Sequence, residues 1–213
     1  MKSLIVALLL VISAGLTTAQ ESKNIVLNPP GADRGLSIMK SLSLRASVNE
    51  YKPDDLALQD LSDLVWAANG INRPENGKRT APSAMNSQDI DVYVVMRSGA
   101  YLYNAQKNLL EFVSAGDHRA LVAGEQANFA KAPLFLVLVS DISRFTRAGD
   151  DEKLTWAAMD AGIVSQNIAL FCAGTGLGTR PRAWMDKDLL RDALHLKDSQ
   201  HLMLNHPVGY LKD

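Results

Sequence analysis

Cysteine is almost absent from this sequence: Cys172 is the single cysteine among 213 residues. One cysteine excludes an internal disulfide, a cysteine-based zinc site and a CxxC redox pair. The surrounding residues, 168–173, are all apolar. Because a cysteine in such a stretch is usually a small buried side chain, we predict a core thiol rather than a nucleophile.

An excess of charge of either sign is also missing. The chain has 22 Lys and Arg against 23 Asp and Glu, a formal net charge of −1. Surfaces that bind nucleic acid need a basic excess that displaces counterions, so we expect no nucleic-acid partner. With 213 residues, of which 47% are hydrophobic, the chain is long enough to bury a sizeable core as one ordinary domain.

A hydrophobic run long enough to cross a membrane is lacking. Residues 4–14 are apolar except for Ser13, but a membrane-spanning helix needs about 20 residues. Lys2 precedes this run and small residues follow it up to Ala19, which is the pattern of a secretory signal peptide at residues 1–19. The alternative is a buried N-terminal helix. We therefore expect an exported protein, periplasmic or secreted, with no stable membrane insertion after cleavage.

The common self-sufficient catalytic motifs are missing too. Six residues separate Gly70 from Gly77, whereas a phosphate-binding loop needs four. The glycines of residues 174–178 follow a predicted helix instead of a strand, so they do not form a dinucleotide fingerprint. The four histidines lack HExxH spacing, no GxSxG elbow is present, and we predict no metal site. If the protein is an enzyme, a cofactor therefore carries the chemistry.

Hydrophobic periodicity predicts one α+β domain at residues 36–213, because the strands are grouped together and the helices are segregated from them. Residues 20–35 contain Asn, Pro and Gly and form a predicted extended arm. The apolar run 133–140 predicts a strand buried on both faces, and residues 151–173 predict the longest helix. The remaining predicted elements are helices at 37–47, from Lys52-Pro-Asp-Asp to Asn69-Gly70, at 118–123 and at 187–195, strands at 91–96, 100–103, 109–113 and 201–210, and a long polar loop at 71–88.

Three segments combine polar and small residues of the kind used in ligand sites. In residues 45–51, the Arg45 guanidinium and the Ser47 hydroxyl suit a phosphate. Residues 82–88 place hydroxyl and amide groups before a strand, where they suit the edge of a polar heteroaromatic ring. Residues 160–182 contain several glycines, whose small size lets a backbone approach a flat ligand closely. Each segment taken alone is more typical of caps and turns.

Several short motifs follow one another in a fixed order along most of the chain. They are RASVNEY, APSAMNSQ before the strand DVYVV, a D-A-G-x-x-x-Q-N helix ending in GLGT, and the terminal PVGYLK. Together, over about residues 38–212, they resemble the flavin-dependent nitroreductase family. The segment WAANGINRP with the following KRTAPSA most resembles the branch that includes the thiazoline and oxazoline dehydrogenases of peptide maturation.

The resemblance implies an α+β homodimer with two FMN molecules at the subunit interface and a small-molecule substrate. Flavin N5 would carry a two-step hydride transfer, so no side chain is assigned a catalytic role. Arg45 and Ser47 would bind the phosphate and ribityl chain, helped by Lys212. Residues 82–86 would reach the flavin of the other subunit, and the backbone of residues 182–184 would lie near N5. The cofactor-binding residues so implied are Arg45, Ala46, Ser47, Asn49, Pro82, Ser83, Ala84, Asn86, Arg182, Ala183, Trp184 and Lys212.

Two features depart from the family pattern. Asn49 stands where the family usually has Lys or Arg beside the flavin pyrimidine. Because a cation there stabilises negative charge on the reduced ring, we expect a lower reduction potential, which Asn49→Lys would raise. The second departure is the predicted signal peptide. Because nicotinamide donors are cytosolic, an exported protein need not use them, and we assign no electron donor among NADH, NADPH and other reductants. The alternative function is a non-catalytic exported protein of the same fold that binds flavin or another small ligand.

Overall fold

The computed structural model describes residues 23–212, so the predicted signal peptide at residues 1–19 lies outside the described residues. No helix in this part of the chain combines the length and hydropathy needed to cross a membrane. The helices are α1 (Ile38–Leu44), α2 (Leu58–Asn69), α3 (Arg119–Ala123), α4 (Asp150–Thr175) and α5 (Lys187–Ala193). The strands are β1 (Ile25–Val26), β2 (Ile71–Arg73), β3 (Lys78–Arg79), β4 (Ile90–Met96), β5 (Gly99–Asn104), β6 (Leu109–Ala115), β7 (Leu134–Asp141), β8 (Leu177–Thr179) and β9 (Gln200–Tyr210).

One seven-stranded sheet organises the fold, with the strand order β1-β6-β5-β4-β7-β9-β8. Every neighbouring pair of strands in it is antiparallel. A separate hairpin, β2–β3, lies beyond α2. The prediction of an α+β fold with a mostly antiparallel sheet is therefore confirmed.

Strand β7 is buried on both faces, as its continuous apolar run predicts. Alternate side chains enter two different hydrophobic clusters, which follows from the two-residue period of a strand. One cluster includes residues of α2 and α4, and the other includes residues of α3 and α5. Leu134, Leu136 and Leu138 belong to the first cluster, and Phe135, Val137 and Val139 to the second.

Helix α4 has 26 residues and ends at Gly176, whose φ of 78° is the left-handed conformation of a glycine cap. The prediction of a helix at 151–173 is confirmed to within two residues at each end. Cys172 lies on its buried side and is 1% exposed, and burial raises the pKa of its thiol. The predicted core thiol is confirmed.

The predicted start of α2 at Lys52-Pro-Asp-Asp is wrong, because the helix begins at Leu58. The Lys52 N–H donates to the Tyr210 carbonyl at 2.9 Å, and Tyr51 forms a β-bridge with Leu211. The Ala57 N–H donates to the Tyr210 hydroxyl at 3.0 Å. These contacts hold the chain extended until just before the helix. The predicted end at Asn69-Gly70 is confirmed.

The predicted polar loop at 71–88 contains more structure than its composition suggests. Strands β2 and β3 pair within it, and residues Ala84–Asn86 form a short 3-10 turn. The Arg79 guanidinium fixes the hairpin by donating to the Asn69 carbonyl at 2.8 Å and to Gln88 Oε1 at 3.0 Å. The segment that precedes β4 is therefore held in place on both sides.

Candidate functional site

The segment that follows α1 runs beside strand β8. The Arg45 N–H donates to the Ser41 carbonyl at 2.9 Å and closes the helix. Ser47 then forms a parallel bridge with Thr179, and the Val48 N–H donates to the Thr179 carbonyl at 3.0 Å. The side chains of Arg45, Ala46, Ser47 and Asn49 are exposed. A fixed backbone thus presents a guanidinium, a hydroxyl and an amide on one short surface segment.

Lys212 is brought to the same surface by the bridge between Tyr51 and Leu211. Its ammonium lies 3.2 Å from Glu50 Oε2. Both side chains are mostly exposed, so this ion pair adds little stability. Lys212 also shares a cavity with Asn49, Lys131 and Asn128. The cavity therefore has two lysines and one carboxylate on its wall.

Gly178 has a packing role that the sequence did not show. A Cβ at this position would lie 2.9 Å from Leu211 Cδ2 and 3.1 Å from Val48 Cγ1. The absence of a side chain at Gly178 thus lets β8 lie close to Val48 on one segment and to Leu211 on the other. The small size of this residue is used for contact within the protein, whereas we predicted contact with a flat ligand.

Arg182 is buried, with 6% of its surface exposed. Its guanidinium donates to Gln126 Oε1 at 2.9 Å, to Asn205 Oδ1 at 2.9 Å, and to the carbonyls of Val122 and Ala123 at 3.2 and 2.7 Å. The acceptors are all neutral oxygens. Burial lowers the pKa of Arg182, because a guanidinium without a counter-ion loses hydration that nothing charged replaces.

The backbone of Arg182 is also fully engaged. Its N–H donates to the Asn205 carbonyl at 2.8 Å, and its carbonyl accepts from the Asn205 N–H at 2.7 Å. The Trp184 carbonyl accepts from Asn205 Nδ2 at 3.0 Å. Of the three residues predicted to lie near a reactive flavin atom, Ala183 is therefore the one whose backbone these bonds leave open.

Trp184 carries a large exposed indole, with 56% of its surface exposed. It lies against Gly124, where a Cβ would come within 3.2 Å of the indole Cδ1. The indole forms one wall of a cavity with Leu121, Met185 and Glu125. This surface suits an aromatic or apolar small molecule next to the Arg182–Trp184 segment.

The second predicted segment forms a loop with unusual backbone geometry. Met85, Asn86 and Gln88 have φ values of 53°, 56° and 49°, in the left-handed region that residues other than glycine and asparagine rarely adopt. The Ser83 hydroxyl accepts from the Gln88 N–H at 2.8 Å. Because backbone strain of this kind is concentrated at functional loops, the geometry supports a ligand-binding role for residues 82–88.

A buried pair of carboxyl groups holds this loop. The Ala84 N–H donates to Asp160 Oδ2 at 2.8 Å, and the Asp160 and Asp89 carboxyls share a hydrogen bond. The Ser140 hydroxyl donates to Asp89 Oδ2 at 2.5 Å. Burial first, and then the Asp89 carboxyl, raise the pKa of Asp160 to about 7. Asp160 therefore carries a proton at mildly acidic pH, and its role is to anchor the loop.

Sequence reasoning placed Asp160 in a candidate segment without giving it this role. The helical spacing of the apolar residues does indicate that Asp160 is buried. Residues 157, 161, 164 and 168 form the buried face of α4. Residue 160 precedes 164 by four positions and therefore lies on that same face. An acid there needs a partner, and Asp89 was the residue that no local pattern indicated.

The structure brings one set of the predicted residues together and leaves the other apart. Arg45, Ser47, Asn49, residues 182–184 and Lys212 gather around β8 and β9. The loop 82–88 contacts α4 at Asp160, whereas the segment before α1 contacts it at Gly174, through a 3.0 Å bond from the Leu36 N–H. These two helix positions are 14 residues apart, or about 21 Å. The two sets therefore lie towards opposite ends of α4 within one chain.

Histidines play a structural part near this surface. His206 of β9 is fully buried, with Nε2 2.8 Å from the Ser165 hydroxyl and Nδ1 3.2 Å from the Thr179 hydroxyl. Burial lowers the pKa of His206 to about 3, so the ring is neutral and joins α4 to β8. Within residues 23–212, no group of three or more His, Cys, Asp or Glu is placed to hold a metal ion.

Comparison with known proteins gives a consistent family assignment. A model described as the nitroreductase family matches residues 42–210. A protein of Methanocaldococcus jannaschii with a provisional nitroreductase name is 31% identical over 174 residues, covering 78% of this chain and 86% of its own. An FMN reductase [NAD(P)H] of Bacillus subtilis is 25% identical over 156 residues, covering 68% of this chain and 53% of its own.

A solved structure agrees with the sequence relatives. A crystal structure from Ralstonia eutropha JMP134, of a protein provisionally described as a nitroreductase, superposes with a TM-score of 0.83. The two chains are 33% identical, and the match covers 89% of this chain and 90% of that one. The family model's match to residues 42–210 includes β8 and β9.

Proposed function

This chain belongs to the nitroreductase family, and we propose that it is an FMN-dependent oxidoreductase that passes a hydride to or from a small molecule. Members of this family are flavin oxidoreductases. The observation that carries the finer proposal is the surface beside β8. There a fixed backbone presents Arg45, Ser47 and Asn49 next to Lys212. Within residues 23–212, the buried Arg182 donates only to neutral oxygens.

These residues fit the chemistry of FMN. The Arg45 fork and the Ser47 hydroxyl suit the phosphate and the neighbouring ribityl oxygens, and Lys212 adds a positive charge. The open backbone of Ala183 suits a polar edge of the ring, and the Trp184 indole suits an aromatic substrate. Bound FMN would supply the hydride chemistry, and the protein would supply the orientation and the electrostatic field.

A second copy of the chain completes this proposal. Helix α4 exposes Met159 and Ile163, which are 62% and 37% exposed, and α1 exposes further apolar side chains beside its contact with α4. Large exposed apolar side chains on two neighbouring helices are typical of a subunit interface. A two-fold dimer across it would let the loop 82–88 of one copy reach the Arg45 surface of the other. The exposed apolar residues of α1 and the chain before it are Leu36, Ile38, Met39, Leu42 and Leu44.

The visible spectrum of the purified protein tests the proposal directly. We expect a yellow protein that releases FMN on denaturation, about one per chain, and that elutes as a dimer in light-scattering chromatography. Arg45→Ala should weaken FMN binding at least tenfold, because a charge-assisted bond to phosphate contributes about 1.5–3 kcal/mol. The matched control Arg97→Ala changes an exposed arginine in the β4–β5 turn. A colourless protein that refuses added FMN would refute the proposal.

Steady-state turnover separates an enzyme from a carrier. The loaded protein should oxidise NADH, NADPH or another donor while reducing a nitroaromatic compound or a quinone. FMN binding without turnover in any combination would favour the alternative, a flavin-binding protein without catalysis. Export is part of the proposal, and N-terminal sequencing of the mature protein should begin at Gln20.

A further inference from the structure

Arg180 is the residue that sequence reasoning did not assign and that the structure places in contact with Asn49. One nitrogen of its guanidinium donates to Asn49 Oδ1. The two residues are separated by 131 positions in the chain. They meet because β8 bridges Ser47 and ends one residue before Arg180. Asn49 thus acts as an acceptor that fixes where this guanidinium lies.

An aromatic ring fixes the guanidinium from the other side. The centre of the Arg180 guanidinium lies 5.8 Å from the centroid of the Phe129 ring, and that of Arg182 lies 4.7 Å from the same centroid. Two arginines therefore share one ring, which holds each by a cation–π contact. Because like charges repel each other, holding two guanidiniums at one ring costs electrostatic free energy unless a negative charge lies near them.

No such negative charge is supplied by the described part of the chain. Arg180 and Arg182 donate to amide and carbonyl oxygens, and neither forms an ion pair there. Glu50, beside Asn49, is paired with Lys212 at 3.2 Å. Buried or half-buried charges are normally paired, so the two guanidiniums indicate an anionic ligand group at this position.

We propose that Arg180, positioned by Asn49 and Phe129, supplies the positive charge that stabilises the reduced flavin ring and so sets its reduction potential. The inference rests on the proposed function, since it requires FMN beside Asn49. A donor's hydride brings two electrons and one proton to the ring, which leaves one extra negative charge on it. A guanidinium nearby favours that charge over the neutral oxidised ring.

This inference revises the expectation drawn from Asn49 alone. A neutral amide at position 49 predicts a low reduction potential that Asn49→Lys would raise. With Arg180 bound to the Asn49 oxygen, the cation is already present and comes from the end of β8. Asn49 is then a positioning residue, and adding a lysine beside Arg180 should raise the potential little.

The test is potentiometry on the FMN-loaded protein with four variants. Arg180→Gln removes the charge and keeps a donor for Asn49; it should weaken binding of reduced FMN relative to oxidised FMN about tenfold, which is about 30 mV for a two-electron couple. Arg180→Lys should retain most of the potential. Asn49→Lys should restore it in the Arg180→Gln background. The matched charge control is Arg97→Gln in the β4–β5 turn, which should leave the potential unchanged.

A second readout separates charge from structure. Arg180 is only half-buried, so the Arg180→Gln protein without flavin should unfold at the same urea concentration as the parent and should bind oxidised FMN with nearly the same Kd. An unchanged potential in Arg180→Gln, with FMN bound, would overturn the inference. A parent protein that binds no FMN would instead refute the proposed function.

Discussion

The loop 82–88 and the β8 edge both contact helix α4, and they differ in how their backbones are held. The loop has three residues with positive φ and is fixed by buried acids. The β8 edge, which is β8 with residues 180–182 after it, has a bridge to Ser47 and pairing to β9. No acid among residues 23–212 forms an ion pair with its two arginines, Arg180 and Arg182, which donate to neutral oxygens. One region is strained and anchored by acids, whereas the other is regular and electropositive.

The difference shows that two parts of one candidate site can be held in place by different means. Regular strands fix charged side chains accurately because each backbone group is already bonded. A strained loop needs a separate anchor, and here the anchor is a protonated carboxyl group. The loop contacts α4 at Asp160, whereas β8 begins at Leu177, just after α4 ends. Each region therefore tests a different part of the proposed dimer.

Replacing Arg182 should have the largest effect and would test the rigidity of the β8 edge. Arg182→Met leaves two amide oxygens and two carbonyl oxygens without their donor, so we expect a loss of about 3–5 kcal/mol in the free energy of unfolding. Arg180→Met, the matched control, should cost less than about 1 kcal/mol. Urea unfolding monitored by circular dichroism measures both. Equal losses in the two variants would show that burial does not distinguish these arginines.

Acid should weaken the β8 edge through His206. The pKa of His206 is lowered to about 3 in the folded protein, from an ordinary value of about 6.5. Between these values the unfolded chain binds a proton that the folded protein excludes, so stability falls as the pH drops below 6.5. The loss should reach about 3–4 kcal/mol by pH 4. His206→Gln should flatten this dependence, and a parent with constant stability down to pH 4 would contradict the account.

Alkali should weaken the loop region through Asp160, with the opposite sign. The pKa of Asp160 is raised to about 7 in the folded protein from an ordinary value of 3.8. Between these values the folded protein holds a proton that the unfolded chain lacks, so this contribution is complete below the lower value and is lost as the pH rises through the upper one. The drop from pH 5 to pH 8 should be about 2–3 kcal/mol.

Asp160→Asn is the sharpest variant for that comparison. Its amide can accept from the Ala84 N–H and donate to Asp89 as the protonated acid does, but it does not titrate. The variant should be the more stable protein at pH 8 and should be cleaved more slowly in the loop by protease at that pH. If the variant and the parent lose stability equally between pH 5 and 8, the carboxyl pair is not the anchor.

Relief of strain at Met85 should have the smallest effect. The positive φ of Met85, 53°, costs the folded protein about 1 kcal/mol. Glycine adopts this φ without that cost, but its greater backbone freedom in the unfolded chain offsets part of the gain in stability. Met85→Gly should therefore stabilise the protein by about 0.5 kcal/mol. Ala84→Gly, one residue earlier and without positive φ, should instead destabilise it by about 0.5–1 kcal/mol. A loss in both variants would show that the loop is not strained.

The sheet and the long helix could be predicted from the sequence because their patterns are local. The run at 133–140 is apolar throughout, and the strands of residues 90–115 are separated by short turns. The start of α2 could not be predicted, because a backbone pairing with Tyr210, far along the chain, keeps residues 51–57 extended. Local signals at Asp54 and Asp55 were outweighed by that contact.

The candidate site shows the same limit. Arg45, Ser47 and Asn49 could be proposed from the sequence because they are close together in a short motif. Arg180 was missed as a site residue because its role depends on Asn49, 131 positions away. The anchoring role of Asp160 was missed because its partner, Asp89, lies 71 positions earlier in the chain, directly before β4. Side chains whose function arises from a distant partner have no local pattern to mark them.

The position of β9 also governs when this protein can fold during its synthesis. Among the strands of residues 23–212 it is the last in sequence, yet it lies inside the sheet between β7 and β8. It also carries Asn205 and His206, which fix Arg182 and Thr179. The chain must therefore be synthesised as far as β9 (Gln200–Tyr210) before β7 gains its second neighbour. Until then the edge of β7 that pairs with β9 is unpaired and open to chaperones.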